Sequence, residues 1–371
     1  MGEIINWMGG WPKEGLLAAA EWEGRVARWS ARPESAGRSG DPQGMKLLRE
    51  RLAAEGWLRL PEADAADVIV VPGADAALER IARHWLQPGD AVLVERPTSR
   101  SALQAFRKAG VVPHPVASDL FGMLPEALGR SLAELQPRLV YAAPECTDPE
   151  GRAWSVERRQ ALLRLCGEAG VPVLIDDRQA CLRYAPNAPG AADSGRYGTV
   201  WTIGEFPPGT IGGLRFGWLC LSGQPSEGRE LLTGERGGEA PLPVAEQFAL
   251  LSLMEEGELE PLLETMRFIC GAKNGLLMEQ LKRQGLPGTS WVTPQGGMHL
   301  WLSLPEGLDG DALLRGSWLN GLLFQPGGAF YASDTERCKL RLTVVHSEDK
   351  QIRAGVQRLA DTMGDFLGRW G

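Results

Sequence analysis

The sequence predicts an α/β protein: a mainly parallel central sheet covered by helices, followed by a smaller α+β domain. Three observations lead to this reading. Short apolar runs such as "DVIVV", "VPVLIDD" and "TVWTIGEF" alternate with amphipathic segments from about residue 43 onward. The runs are continuous rather than alternating, as in strands buried on both faces of a sheet. After about residue 243 the alternation gives way to long helical periodicity, with two more strand-like segments behind it.

Taken in order, "GMKLLRERLAAEGW" (44–57) spaces its apolar residues as a helix does. The stretch 67–97 then reads as a β-branched strand, a glycine turn, an amphipathic helix, a "PGD" turn and a second strand. The same alternation continues through "VVPHPV", "RLVYAAP", "VERRQALLRLCGEAGVPVLIDD", "YGTVWTIGEF" and "RFGWLCLSG". "PNAPGAADSGR" (186–196) reads as an exposed loop. Long helices are expected over 243–283, then strands in "SWVTPQGGMHLWLSLP" and "KLRLTVVHS". The boundaries that follow are an N-terminal arm over 1–39, a large α/β domain over 40–255 and a small α+β domain over 256–371.

Composition narrows the function. Of 371 residues, 43% are hydrophobic and 23% charged, a globular profile. No apolar run approaches the roughly 18–20 residues of a membrane span, and the N-terminus lacks the basic-then-apolar order of a secretory signal. A formal charge of -8 argues against nucleic acid, which is bound through clustered positive charge. The expectation is a cytoplasmic protein with no nucleic-acid or membrane partner. Its six cysteines lack CxxC spacing and read as buried thiols. The four histidines are too scattered for a metal site and read as structural. Lysine is absent from 109 to 272.

Ligands of such sheets bind where the strands end at their carboxyl edge. Four strand ends here carry unusual residues. Gly73, Ala74 and Asp75 open a helix whose N–H groups suit a phosphate. Asp75 itself reads either as a helix cap or as a charge opposing that phosphate. Asp148 precedes a proline and by itself marks a turn. Asp176 and Asp177 end a buried strand, so one of them needs a ligand, a basic partner or a helix to cap. Arg215 lies in "GGLRFGW", where small neighbours let a guanidinium approach an anion.

In this order the pieces resemble the class I/II aminotransferases of the fold-type I pyridoxal-phosphate superfamily, close to the aminoadipate-aminotransferase and MocR-type members. The resemblance runs through "GDPQGMKLLRERLA", "PGDAVLVERPT", "PECTDPEGRAWSVERRQALL", "GLRFGWL", "GGMHLWLSLP", "FQPGGAFY" and "LRLTVVHS". It implies that Arg215 holds the cofactor phosphate with the Gly73, Ala74 and Asp75 turn. It also implies that Asp176 pairs with the pyridine nitrogen, and that Arg341 clamps a substrate carboxylate. Residues before 40 read as the arm of this fold rather than a winged helix, so DNA binding is not expected.

The departures from the pattern are as informative. Counting back from Arg215, the position of the Schiff-base lysine falls on Pro208, which can neither form an imine nor move a proton. The asparagine near the cofactor's phenolic oxygen becomes Asp148, and the tyrosine three residues after Asp176 becomes Gln179. Two further tyrosines become Ser99 and Ser39. The expectation is an aminotransferase-like homodimer with a degenerate cofactor site, a non-transaminating pseudoenzyme. Its pocket would take a small anion: an amino acid, a 2-oxo acid or a phosphate compound. Pyridoxal or pyridoxamine phosphate would be held noncovalently or not at all. The alternatives are redirected chemistry on an amino acid-like substrate, and service as the inactive half of a heterodimer.

Overall fold

The computed structural model describes residues 3–12, 16–31, 41–60, 63–185, 198–222 and 242–368. The expected loop at 186–196 and Ser39 lie outside them. In chain order the strands are β1 (Ile5–Trp7), β2 (Val68–Val71), β3 (Ala91–Val94), β4 (Val112–Pro115), β5 (Ser118–Asp119), β6 (Gly122–Met123), β7 (Leu139–Ala142), β8 (Val173–Asp176), β9 (Val200–Glu205), β10 (Gly217–Ser222), β11 (Ser290–Trp291), β12 (His299–Ser303), β13 (Leu322–Pro326) and β14 (Lys339–Thr343). The helices are α1 (Ala19–Ser30), α2 (Lys46–Ala54), α3 (Ala74–His84), α4 (Arg100–Lys108), α5 (Pro125–Leu135), α6 (Val156–Ala169), α7 (Val244–Glu255), α8 (Leu259–Gln284), α9 (Gly310–Leu319) and α10 (Asp349–Leu367).

Seven strands form the large sheet in the order β2-β10-β9-β8-β7-β3-β4. Every neighbouring pair is parallel except those made by β10, which runs antiparallel to both β2 and β9. The mainly parallel sheet read from the sequence is therefore present. Its strands β2, β7 and β8 are buried at every residue, which is why they read as unbroken apolar runs. One apolar layer, with Leu78, Ile81, Phe106 and Trp201, packs α3 and α4 on one face. The opposite face carries Leu48, Leu52, Trp218 and Leu250 from α2, β10 and α7, with Phe216 just before β10.

A second sheet, β1-β13-β14-β12-β11, holds its own core of Trp7, Leu300, Phe324, Leu342 and Leu359. The N-terminal strand β1 joins it by pairing parallel to β13. Helix α8 runs 26 residues and gives side chains to both cores: Leu259 and Leu263 at one end, Leu277 and Leu281 at the other. A backbone bridge between Arg183 and Gly296 ties the segment after β8 to the approach to β12.

Candidate ligand site

The carboxyl ends of β8 and β9 and the start of α3 meet at a cavity of about 430 Å³, which segments of the second sheet also line. Six of the residues singled out in the sequence line it: Asp75, Asp148, Gln179, Pro208, Arg215 and Arg341. Arg100, Arg178, Glu205 and His299 join them. No lysine is among its described lining residues.

Helix α3 begins where Gly73 turns the chain with φ 95°, a conformation that favours glycine. Gly73, not Asp75, is the N-cap, and it offers no side chain to the free N–H groups of the first turn. Glu205, at the end of β9, supplies the acceptor from outside. Its Oε2 takes the Ala74 N–H at 2.9 Å, and a Cβ on Gly73 would lie 3.2 Å from the same oxygen. Burial pushes the Glu205 carboxyl above its ordinary value, against the pull of Arg178 and the Ala74 amide.

Asp176 is buried at the end of β8 and accepts from three donors. Tyr141 Oη donates to Oδ2 at 2.6 Å, and the Arg178 amide donates to Oδ1 at 3.1 Å. Arg178 Nε donates to Oδ1 at 3.0 Å and to Oδ2 at 2.9 Å. The one Nε–H is shared between both oxygens, and the guanidinium also supplies the counter-charge. Arg178 Nη1 continues to Asp75 Oδ1 at 2.7 Å and Ser101 Oγ at 3.0 Å, while Nη2 is buried without an acceptor. Burial alone would lower the Arg178 pKa, yet Asp176 and its neighbours hold it well above the ordinary value. Burial would likewise raise Asp75, but Arg178 holds it below the usual carboxylate value.

The two arginines assigned from the sequence are placed differently from each other. Arg215 is 62% exposed at the rim, 3.9 Å from Asp75 Oδ2. Arg341, on β14, is 13% exposed and donates from Nη1 to Asp148 Oδ1 at 3.3 Å. Its guanidinium lies over the Phe330 ring at 4.7 Å, and its Nε has no acceptor. Arg100 Nη1 reaches a neutral partner, Gln325 Oε1, at 3.0 Å. His299 is buried against Thr343 Oγ1 at 2.9 Å; burial and Arg341 depress its pKa well below the ordinary value, so it is neutral. Gln179 is buried beside Cys146, and Ser99 Oγ meets Ser101 Oγ at 3.1 Å.

Sequence reasoning missed Arg178 and Glu205 as site residues. The signal for Arg178 was its position two residues after Asp176, on the turn that leaves a buried strand.

A seven-stranded, mainly parallel sheet with a second sheet closing over its carboxyl edge is the fold of fold-type I aminotransferases, and the chain is aminotransferase class I/II-like. Residues 13–180 match the family model "Aminotransferase class I and II". The chain is 28% identical over 372 residues to the 2-aminoadipate transaminase of Thermus thermophilus, covering 98% of this chain and 91% of that one. It is 28% identical to aromatic-amino-acid aminotransferase 1 of Thermococcus litoralis, covering 85% of this chain and 78% of that one. The crystal structure of LysN, the α-aminoadipate aminotransferase of Thermus thermophilus, superposes with a TM-score of 0.88 at 27% identity, covering 99% of this chain and 93% of that one.

That crystal structure is complexed with N-(5'-phosphopyridoxyl)-L-leucine. As they stand, the residues here do not fit such a group. The Glu205 carboxylate lies on the Ala74 amide where a phosphate would need the same donor. Asp176 is already paired with the Arg178 guanidinium, which takes the place of a pyridinium as its counter-charge, and Pro208 brings no amine to the cavity.

Proposed function

We propose that this aminotransferase-like protein is a pseudoenzyme that binds a small carboxylate, of the amino-acid or 2-oxo-acid class, in this cavity and does not transaminate. The observation that supports it is the convergence of Arg100, Arg178, Arg215 and Arg341 on a cavity without lysine among its described lining residues. Two buried guanidinium nitrogens there, Arg178 Nη2 and Arg341 Nε, have no acceptor among the described residues. A buried polar group without a partner costs about 1–3 kcal/mol, more when charged, and a carboxylate ligand would relieve that. Planar guanidinium suits planar carboxylate, so Arg341→Lys should weaken binding although the charge remains. The curated relatives carry names that specify amino acids, in keeping with this ligand class.

The test is thermal stabilisation by amino acids, 2-oxo acids and inorganic phosphate, in the wild type and in Arg341→Ala and Arg215→Ala. A ligand of the native state at about 100 times its dissociation constant adds roughly 2.7 kcal/mol. No shift in the wild type, or shifts unaffected by either substitution, would overturn carboxylate binding. Added pyridoxal phosphate should give no lysine-imine absorbance near ~420 nm, and borohydride should leave no adduct on the peptide around Pro208. Measurable transamination would overturn that half of the reading. The same reading extends to a cytoplasmic homodimer, which light scattering at micromolar concentration checks; a compact monomer would contradict it.

A further inference from the structure

Glu205 and Arg178 lie at the two places that the resemblance assigns to the opposite charges of a phosphopyridoxyl group, the Gly73–Asp75 turn to its phosphate and Asp176 to its pyridinium. The anion end is a helix N-terminus. The first turn of α3 has free N–H groups and a positive dipole end, and the Glu205 carboxylate, 8% exposed, is already hydrogen-bonded there. Its Oε2 lies so close to the Gly73 turn that a phosphate and this carboxylate cannot share the place. Sharing would also put two anions together in a buried site, where like charges repel strongly. The cation end is Asp176, whose two oxygens already take hydrogen bonds from Tyr141 and from the Arg178 amide and guanidinium, the last of which also neutralises it. A guanidinium is planar and cationic, as a protonated pyridine ring is, and it satisfies the same carboxylate.

We propose that Glu205 and Arg178 are built-in replacements for the two charged ends of a phosphopyridoxyl cofactor, Glu205 for the phosphate and Arg178 for the pyridinium, and that together they shut such compounds out. This rests on the cavity being the one that holds the cofactor in related folds. It does not depend on whether a carboxylate binds at Arg341. Each side chain guards one end, so the two effects separate by ligand. Glu205→Ser frees the helix N-terminus and admits inorganic phosphate. Arg178→Ala frees Asp176 and admits pyridoxamine, which has no phosphate. Pyridoxamine 5'-phosphate needs both ends and binds the double variant best.

The experiment is a grid of wild type, Glu205→Ser, Glu205→Gln, Arg178→Ala and the Glu205→Ser/Arg178→Ala double variant. Each is checked for folding by far-UV circular dichroism, then titrated calorimetrically with phosphate, pyridoxamine and pyridoxamine 5'-phosphate. The expected result is no saturable binding of the phosphorylated amine to the wild type, and binding at least about tenfold tighter in the double variant than in either single one, a difference of about 1.4 kcal/mol. Glu205→Gln keeps the shape but not the charge, so it secures the phosphate arm should the serine variant unfold. Wild-type binding of pyridoxamine 5'-phosphate as tight as the double variant's would overturn the proposal. So would folded variants that gain nothing. A failure of carboxylate binding would instead appear in the Arg341→Ala comparison with 2-oxo acids and leave this grid untouched.

Discussion

Asp176 is buried and depends on Arg178 for its counter-charge. Arg178→Met should therefore cost about 3–5 kcal/mol in a denaturant titration, because it leaves one charge of a buried pair uncompensated. Adding Asp176→Asn should recover most of that loss, and a double variant no better than the single one would refute the pairing. The next residue gives a pH dependence. Burial pushes Asp177 up to about 7 from 3.8, although Arg59 and Arg159 pull the other way. The native state then keeps a proton that the unfolded chain has released. Its contribution to stability is complete below the unfolded value and is lost as pH rises through about 7. Asp177→Asn should gain in melting temperature relative to the wild type between pH of about 5 and about 8; a gap constant with pH would contradict this. That one of the two aspartates needs a ligand, a basic partner or a helix to cap was legible in the sequence. Which arginine serves was not, because a turn of two residues and a reach of 131 residues from Glu205 to Ala74 leave no pattern along the chain.

Strand β10 is inserted antiparallel between β2 and β9, and Gly217 lets it approach both. A Cβ there would lie 2.7 Å from the Gly204 carbonyl oxygen and 2.8–2.9 Å from backbone atoms of Gly73. Backbone cannot swing aside as a side chain can, so Gly217→Ala should destabilise by about 1–3 kcal/mol through overpacking. It should also disturb the start of α3. Gly24, exposed within α1, has open space around it, and Gly24→Ala should stabilise by about 0.5–1 kcal/mol. Equal and opposite melting shifts are not required, but the signs must differ. The buried strands of the large sheet were readable because they are unbroken apolar runs. Strands β1 and β13 were not read: β1 is three residues long, and it pairs with a strand more than 300 positions away, as in Ile5 with Leu322. The β5–β6 hairpin has two residues per strand, too few for any period to show.

On the scale of the molecule, α8 is the common member. Leu259 and Leu263 belong to the core against the large sheet, Met266 and Cys270 to a small cluster with Leu182 and Met298, and Leu277 and Leu281 to the core of the second sheet. A rigid helix shared by successive cores couples their melting. Far-UV circular dichroism and tryptophan fluorescence should therefore report one coincident urea transition, with Trp201 and Trp218 sampling one sheet and Trp291 and Trp301 the other. Two separated midpoints would show that the helix does not couple them. The proposed roles of Glu205 and Arg178 have a consequence for redesign as well. Under that proposal, Pro208→Lys alone would set an amine facing a helix end already capped by Glu205 and an aspartate already paired with Arg178, and should not confer transamination. Changes at Glu205 and Arg178 would have to come first, and the second of these removes the counter-charge of a buried carboxylate. The order of the steps, more than their number, would then decide whether such a redesign can be made one folded protein at a time.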